Sequence, residues 1–153
     1  MEIMLTAIAT WLSVNLGMPA IHEQPRIEFV PSETMHAVRH RELGPSPAVS
    51  ARADLLAHPD RVPAVEAQYV DATRTIYLQK GWTGKSPAEL SVLVHEMVHH
   101  VQNVAGLKYA CAEEREKPAY AAQKQWLALF GRKLVEEFKL DPVTLLVRTN
   151  CMH

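Results

Sequence analysis

Cysteine is scarce in this chain. Its 153 residues include two cysteines, Cys111 and Cys151, and neither belongs to a CxxC pair. We therefore do not expect a structural zinc site built on thiolates. The two residues could form one disulfide, which would indicate an oxidising compartment such as the periplasm or the cell exterior. They could equally remain reduced thiols in the cytoplasm, and the sequence leaves both states open.

An excess of charge of one sign is also lacking. The formal net charge is −1 and the pI is near 6.7, so nothing indicates binding to nucleic acid or to an anionic membrane surface. Repeats and low-complexity tracts are missing as well. With 48% hydrophobic residues, a chain of this length can bury a sizeable core, and we expect one domain over residues 1–153. The oligomeric state stays open.

The apolar N-terminus lacks the basic residues that open a signal peptide, because Glu2 is its only charge before His22. It is also too short and too rich in Thr, Ser and Asn for a stable membrane span. Its polar residues fall on a narrow stripe at helical spacing. We therefore predict a helix of about 15 residues that docks on the core and ends at Gly17 and Pro19.

The stretch from Ser86 to Asn103 contains the most informative motif, the HExxH sequence HEMVH. A capping box, SPAE, with proline at the first helical position predicts that a helix begins here. Residues four apart share one helical face, so His95 and His99 can bind a single Zn²⁺. Glu96 lies about 100° around the helix from His95 and could take a proton from a zinc-bound water. The opposite, apolar face should meet the core.

A second long helix is predicted from about Ala112 or Glu113 to Lys139, followed by a short helix from Asp141-Pro142 to about Val147. At helical spacing the long helix presents one apolar face. Its members are Ala119, Tyr120, Leu127, Phe130, Leu134 and Phe138.

The third zinc ligand should come from this helix, because a catalytic zinc needs three protein ligands and an open position for water. Glu116 falls in the middle of the apolar face, Glu113 falls at its edge and Glu114 points away. A carboxylate on a buried face is costly unless it is paired or binds a metal, so we prefer Glu116. If Pro118 instead marks the start of the regular helix, Glu113 becomes the alternative.

Other polar residues have weaker roles in the prediction. Gln123 shares the apolar face with Glu116, and we favour a core role for it over one behind the metal ligands. His100 points away from the histidine pair, which suggests a supporting or surface position. A donor for the oxyanion is expected, and Tyr77, Tyr109 and Tyr120 are candidates, although a core role is favoured for each.

The rest of the chain predicts a small sheet with a few helices. His36 and His40 are also four apart, but no glutamate follows the first, and Arg39 and Arg41 surround the second, so we expect a solvated face. The predicted elements are a strand at Arg26–Val30, a helix from Ser32 to Glu42, a loop at Gly44–Pro47, and a hairpin of residues 62–70 and Thr75–Leu78 around Asp71–Arg74. One edge strand of this hairpin could pair with an extended peptide.

HEMVHH followed by EKPAYAAQ resembles the zincin metallopeptidases of the gluzincin type. In these a glutamate in an ExxA context on a second helix completes the site, and Glu116 and Ala119 match that pattern. The arrangement is similar to minimal gluzincins, including the domain of phage-repressor-cleaving proteins. The segments AELSVLVHEMVHHVQN and REKPAYAAQKQWLALFGR also resemble an uncharacterised bacterial zincin-like family. Unlike larger gluzincins, the chain has no room for a substantial second lobe.

The expected protein is therefore an α+β, zincin-like domain in which a small sheet with a hairpin packs against the HExxH helix and a second, Glu-bearing helix. His95, His99 and Glu116 would hold Zn²⁺, and Glu96 would act as general base in hydrolysis of a peptide or protein substrate. The alternative is a non-catalytic, zinc-stabilised binding module that keeps the helix pair. A structural protein without any metal is the third possibility.

Overall fold

The computed structural model describes residues 1–43 and 67–152, and in these residues helices and strands form an α+β fold. The predicted loop at Gly44–Pro47 and the hairpin residues before Ala67 lie outside this part. The elements, in chain order, are α1 (Glu2–Leu16), β1 (Arg26–Val30), α2 (Ser32–Leu43), β2 (Ala67–Val70), β3 (Thr75–Gln79), α3 (Pro87–Val104), α4 (Ala112–Ala128), α5 (Leu134–Glu137) and α6 (Pro142–Thr149).

Helix α1 confirms the predicted N-terminal helix. It ends at Gly17, whose φ of 64° is the left-handed conformation that glycine adopts most easily. Leu5, Ile8 and Leu12 are buried and join the core cluster, so the helix docks as expected. No helix in residues 1–43 and 67–152 is both long enough and apolar enough to cross a membrane.

The sheet has three strands in the order β1-β3-β2. Strands β2 and β3 pair antiparallel, which confirms the hairpin around Asp71–Arg74, and β1 pairs parallel with β3. The central strand β3 carries the fully buried Ile76 and Leu78. Within the described residues β2 is therefore an edge strand, and α3 packs beside it.

Helix α3 begins with the predicted capping box. The Ser86 hydroxyl accepts a hydrogen bond from the Glu89 N–H (3.1 Å), and the Glu89 carboxylate accepts one from the Ser86 N–H (3.2 Å). The apolar face meets the core as predicted, and the face that carries the histidines is covered as well, because every residue from Ser91 to Gln102 is buried. Helices α1 and α4 and strand β2 pack around α3 and cover it from several sides.

Helix α4 is shorter than predicted and ends at Ala128 instead of Lys139. Gly131 adopts a left-handed φ of 68°, and the Arg132 N–H donates to the Leu127 carbonyl, which closes the helix. Phe130 is consequently 50% exposed and lies off the apolar face on which the choice of Glu116 was based. Pro118 lies inside the helix, so the helix does not start there.

Helix α6 packs on α4 and is held by a covalent link. Its N-cap is Asp141, as predicted, and the helix ends at Thr149, slightly beyond the predicted end. Cys111, the N-cap of α4, is disulfide-bonded to Cys151 just after α6, with a Cα–Cα distance of 5.8 Å. Of the second histidine pair, His36 is exposed, as expected, and the side chain of His40 lies outside the described part.

Candidate metal centre

The structure brings the two motif histidines together with Glu116. The Nε2 atom of His95 lies 3.0 Å from one carboxylate oxygen of Glu116, and the Nε2 atom of His99 lies 3.1 Å from the other. The three candidate ligand atoms all lie within 4.8 Å of one another, and Glu113 is not part of this group. The Glu116 side chain is 34% exposed, so it lies at the rim of the core and not in the middle of a buried face as predicted.

Behind His99, Gln102 fixes the orientation of the imidazole. The amide nitrogen of Gln102 donates to the carbonyl oxygen of Arg115 (2.9 Å), and its amide oxygen accepts from Arg115 Nε (3.0 Å). Because a carbonyl only accepts and a guanidinium only donates, the amide cannot be flipped. The same amide oxygen lies 2.9 Å from Nδ1 of His99, so Nδ1 must carry a hydrogen.

Behind His95, Gln123 has the same role. Its amide nitrogen donates to the hydroxyl of Ser91 (3.2 Å), and that hydroxyl donates its only hydrogen to the Ala88 carbonyl (2.7 Å). The Gln123 amide oxygen therefore faces Nδ1 of His95 at 3.1 Å, and this nitrogen must also carry a hydrogen. The favoured prediction of a core role for Gln123 is wrong, since the buried side chain contacts a candidate ligand.

This arrangement leaves three hydrogen-bond acceptors facing one another. A neutral imidazole with its hydrogen on Nδ1 presents an unprotonated Nε2, and His95 and His99 both aim that atom at the carboxylate of Glu116. Two kinds of partner can occupy such a position, namely protons on the imidazoles or a metal ion. Histidine ligands of metals commonly donate their second ring N–H in this way. The His-His-Glu group can therefore hold a metal ion.

The pKa shifts of His99 and Glu116 arise from the close contact between the imidazoles and the carboxylate. Burial lowers the pKa of His99, but the hydrogen bond and charge of Glu116, with a smaller contribution from Glu96, outweigh burial and raise it overall. Burial likewise raises the pKa of Glu116, and its hydrogen bonds to His95 and His99 lower it far below the ordinary range. Without a metal ion, a proton on His99 therefore stabilises the neighbouring Glu116 carboxylate.

Glu96, the predicted general base, is buried beside this cluster. One of its carboxylate oxygens accepts a hydrogen bond of 2.7 Å from the backbone N–H of Tyr69 in the edge strand β2. Tyr69 is itself attached to α3, because its hydroxyl accepts from the side-chain amide of Asn103 (2.9 Å) and lies 3.1 Å from Nδ1 of His100. The strand and the helix therefore fix the Glu96 carboxylate between them.

His100 is fully buried, so the suggestion of a surface position is wrong. Its Nε2 donates to the carbonyl of Glu23 (2.8 Å), and its Nδ1 therefore accepts from the hydroxyl of Tyr69. Burial lowers the pKa of His100, which favours the neutral ring that this pattern requires. The residue joins the segment before β1 to β2 and is outside the group of candidate ligands.

Of the three tyrosines considered as oxyanion donors, Tyr120 is the one in ring contact with the cluster. Its ring meets the His95 ring edge-on at a centroid distance of 4.7 Å, and its hydroxyl accepts from Arg148 (3.2 Å). Tyr77, Tyr109 and Tyr120 are all partly exposed. The core role favoured for each predicted deeper burial than the structure shows.

Ser91, Gln102 and Tyr69 support the centre, but no role was predicted for them from the sequence. Ser91 lies four residues before His95 and Gln102 lies three residues after His99, so helical spacing could have identified both. Tyr69 fixes Glu96 through its backbone N–H, and a backbone contact cannot be predicted from the spacing of side chains.

Together these features define an α+β protein with a candidate metal centre of two histidines and one glutamate between two helices. The chain belongs to the family described as Domain of unknown function (DUF6647), which it matches over residues 1–153. The chain matches no curated protein and no solved structure.

Proposed function

We propose that the protein is a zinc-dependent hydrolase of peptide or amide bonds, related to the gluzincins. The supporting observation is the convergence of the two imidazole Nε2 atoms on the carboxylate of Glu116, with both Nδ1 atoms held as donors by glutamines. Two histidines and one glutamate are a ligand set of catalytic zinc sites. Glu96 on the same helix then supplies the base.

His95, His99 and Glu116 would hold the ion. When bound, zinc would lower the pKa of a coordinated water toward ~7 and polarise the substrate carbonyl. Glu96 takes a proton from the attacking water as the new C–O bond forms. It then passes that proton to the leaving amine nitrogen as the C–N bond breaks, which completes the hydrolysis.

The surroundings of Glu96 suit this role. Its carboxylate is held by one backbone N–H from β2, so its position relative to the two imidazoles is set before substrate binds, which lowers the entropic cost of the reaction. Tyr120, in contact with His95, is the best placed of the tyrosines to donate to a developing oxyanion. The disulfide of Cys111 and Cys151 favours a periplasmic or secreted location for this chemistry.

Three matched glutamate variants test the proposal after zinc reconstitution. Glu96→Gln should retain stoichiometric zinc and lose hydrolysis by about 10²–10⁴-fold, because the general base is gone. Glu116→Gln should lose zinc, and Glu113→Gln, the control from the same helix, should retain both zinc and hydrolysis. Zinc is measured by elemental analysis after native purification, and hydrolysis by mass spectrometry of a peptide library.

Each alternative predicts a different result. A non-catalytic binding module would bind zinc through the same residues and cleave nothing in the library. A structural protein without metal would show a zinc stoichiometry near zero even after reconstitution. Hydrolysis at the wild-type level in Glu96→Gln would show that Glu96 is not the base.

A further inference from the structure

Basic side chains collect on one side of the candidate metal centre. Lys117, Tyr120 and Lys124 are spaced by three and four residues along α4 and therefore share one helical face. Arg148 reaches the same place from α6 and donates to the Tyr120 hydroxyl at 3.2 Å. Lys117, Lys124 and Arg148 are all exposed, so a substrate that binds on this side of the cluster can contact their charges.

These three cations have no acidic partner in residues 1–43 and 67–152. Several other cations of the described chain do form ion pairs. These are Arg74 with Glu23, Arg115 with Asp71, Arg132 with Glu137 and Lys133 with Glu136.

Two carboxylates share this face of α4. Glu116 belongs to the candidate ligand group, and Glu113 lies one turn before Lys117. Three cations against Glu113 leave the face positively charged in a chain whose formal net charge is −1.

The basic group is close enough to the centre to contact a bound substrate. The Tyr120 ring lies 4.7 Å from the His95 ring, and the guanidinium of Arg148 lies 3.2 Å from the Tyr120 hydroxyl oxygen. Together with the length of the Tyr120 side chain, these contacts place the Arg148 guanidinium on the order of 10 Å from the His95 ring. An extended peptide, which advances by about 3.3–3.6 Å per residue, spans that distance in about three residues. Helix α6, which carries Arg148, is tied to α4 by the disulfide between Cys111 and Cys151. The disulfide thus restrains the end of α6 against α4, and the hydrogen bond to Tyr120 positions the Arg148 guanidinium.

Arginine is the side chain best suited to a carboxylate. Its planar guanidinium has five donors in a fork that matches both carboxylate oxygens. At Arg148 one of these donors is used by Tyr120. Lys117 and Lys124 add positive potential on the same face, which attracts an anionic group before contact.

We infer that the substrate carries a carboxylate within about three residues of the scissile bond, and that Arg148 binds it beside Tyr120. This inference rests on the proposed hydrolase function. The carboxylate could belong to an acidic side chain or to the C-terminus of the peptide. Both sources have the chemistry that the basic face requires.

The test uses short peptides that differ in this one group. One set ends in a free carboxylate or a carboxamide, and the other, blocked at both ends, carries Asp or Asn at each position in turn. Binding is measured calorimetrically on zinc-reconstituted Glu96→Gln protein, which separates affinity from turnover, and cleavage is measured on the wild type. A carboxylate peptide should bind about tenfold more tightly than its neutral counterpart. The set that shows the preference identifies the source of the carboxylate.

The preference should fall to near unity in Arg148→Gln, partly survive in Arg148→Lys, and weaken as salt is added. Arg26→Gln is the matched control, since Arg26 is exposed on β1, at the other edge of the sheet from β2, and it should leave the preference unchanged. Equal binding of charged and neutral peptides, a preference that persists in Arg148→Gln, or no measurable binding of any carboxylate peptide would overturn the inference. Cleavage of neutral peptides by the wild type would still support the hydrolase.

Discussion

The two candidate histidine ligands are held by the same chemical group in different surroundings. Behind His95, Gln123 leads to Ser91 and ends at a backbone carbonyl of α3, so every contact lies within two packed helices. Behind His99, Gln102 leads to Arg115, whose guanidinium makes two hydrogen bonds of 2.5 and 2.6 Å to Asp71 in the hairpin turn. One support is neutral and internal, and the other is ionic and reaches the sheet.

The difference shows which ligands are positioned together. Gln102 also donates to the carbonyl of Arg115, the residue directly before Glu116, and the Arg115 guanidinium donates to the His99 carbonyl at 3.2 Å. His99 and Glu116 therefore share one set of supports, whereas His95 has its own. Side-chain exposures of 27% for Arg115 and 45% for Asp71 imply that water and salt weaken the ionic end of this set.

Gln102→Leu should have the largest effect on the centre, because it removes the support that His99 and Glu116 share. We expect zinc affinity to fall by about 10–100-fold. We also expect the metal-free protein to lose about 2–4 kcal/mol of unfolding free energy, since Nδ1 of His99, Nε of Arg115 and the Arg115 carbonyl each lose a hydrogen-bond partner. Competition with a chelator measures the zinc affinity, and urea unfolding measures the unfolding free energy. Gln125→Leu, an exposed position on α4, is the control, and wild-type affinity in Gln102→Leu would contradict the assignment.

Gln123→Leu should have a smaller effect, confined to His95. The Ser91 hydroxyl keeps its bond to the Ala88 carbonyl, so one buried donor, Nδ1 of His95, loses its partner. We expect zinc affinity to fall by about tenfold and unfolding free energy by about 1–2 kcal/mol, with little dependence on salt. The same two measurements apply. A loss greater than that of Gln102→Leu would reverse the order proposed for the two supports.

Asp71→Asn should have the smallest effect, because its ion pair is partly exposed. We expect less than about 1 kcal/mol in unfolding free energy and a decrease in zinc affinity of a few-fold that shrinks as salt is added. A double-mutant cycle should give non-additive effects of Asp71→Asn with Gln102→Leu and additive effects with Gln123→Leu. Equal coupling to both glutamines would mean that the supports are not separate.

Much of the fold could be predicted from local patterns. The capping box of Ser86 and Glu89, the Gly17 stop and the Asp141 cap each depend on residues a few positions apart, and the structure has all three. The end of α4 was missed because the apolar spacing continues through Phe130 while Gly131 turns the chain. The parallel pairing of β1 with β3 has no local signature either, since the two strands are far apart in sequence.

The site could be predicted to the extent that one helix defines it. The spacing of His95 and His99 places their rings side by side whatever surrounds the helix. The contact of Gln123 with His95 depends instead on how α3 and α4 pack against each other, and a polar residue on an apolar face cannot by itself reveal its partner. Arg115 and Asp71 are 44 residues apart, so only the folded chain brings their charges together.

The most direct test of the proposed centre is anomalous scattering at the zinc edge from crystals of the zinc-reconstituted protein. We expect one strong peak at bonding distance, about 2.0–2.2 Å, from Nε2 of His95, Nε2 of His99 and the carboxylate of Glu116. The Nδ1 atoms should remain on the two glutamine oxygens. A peak bound by Glu113 in place of Glu116, or no peak between the two histidines, would contradict it.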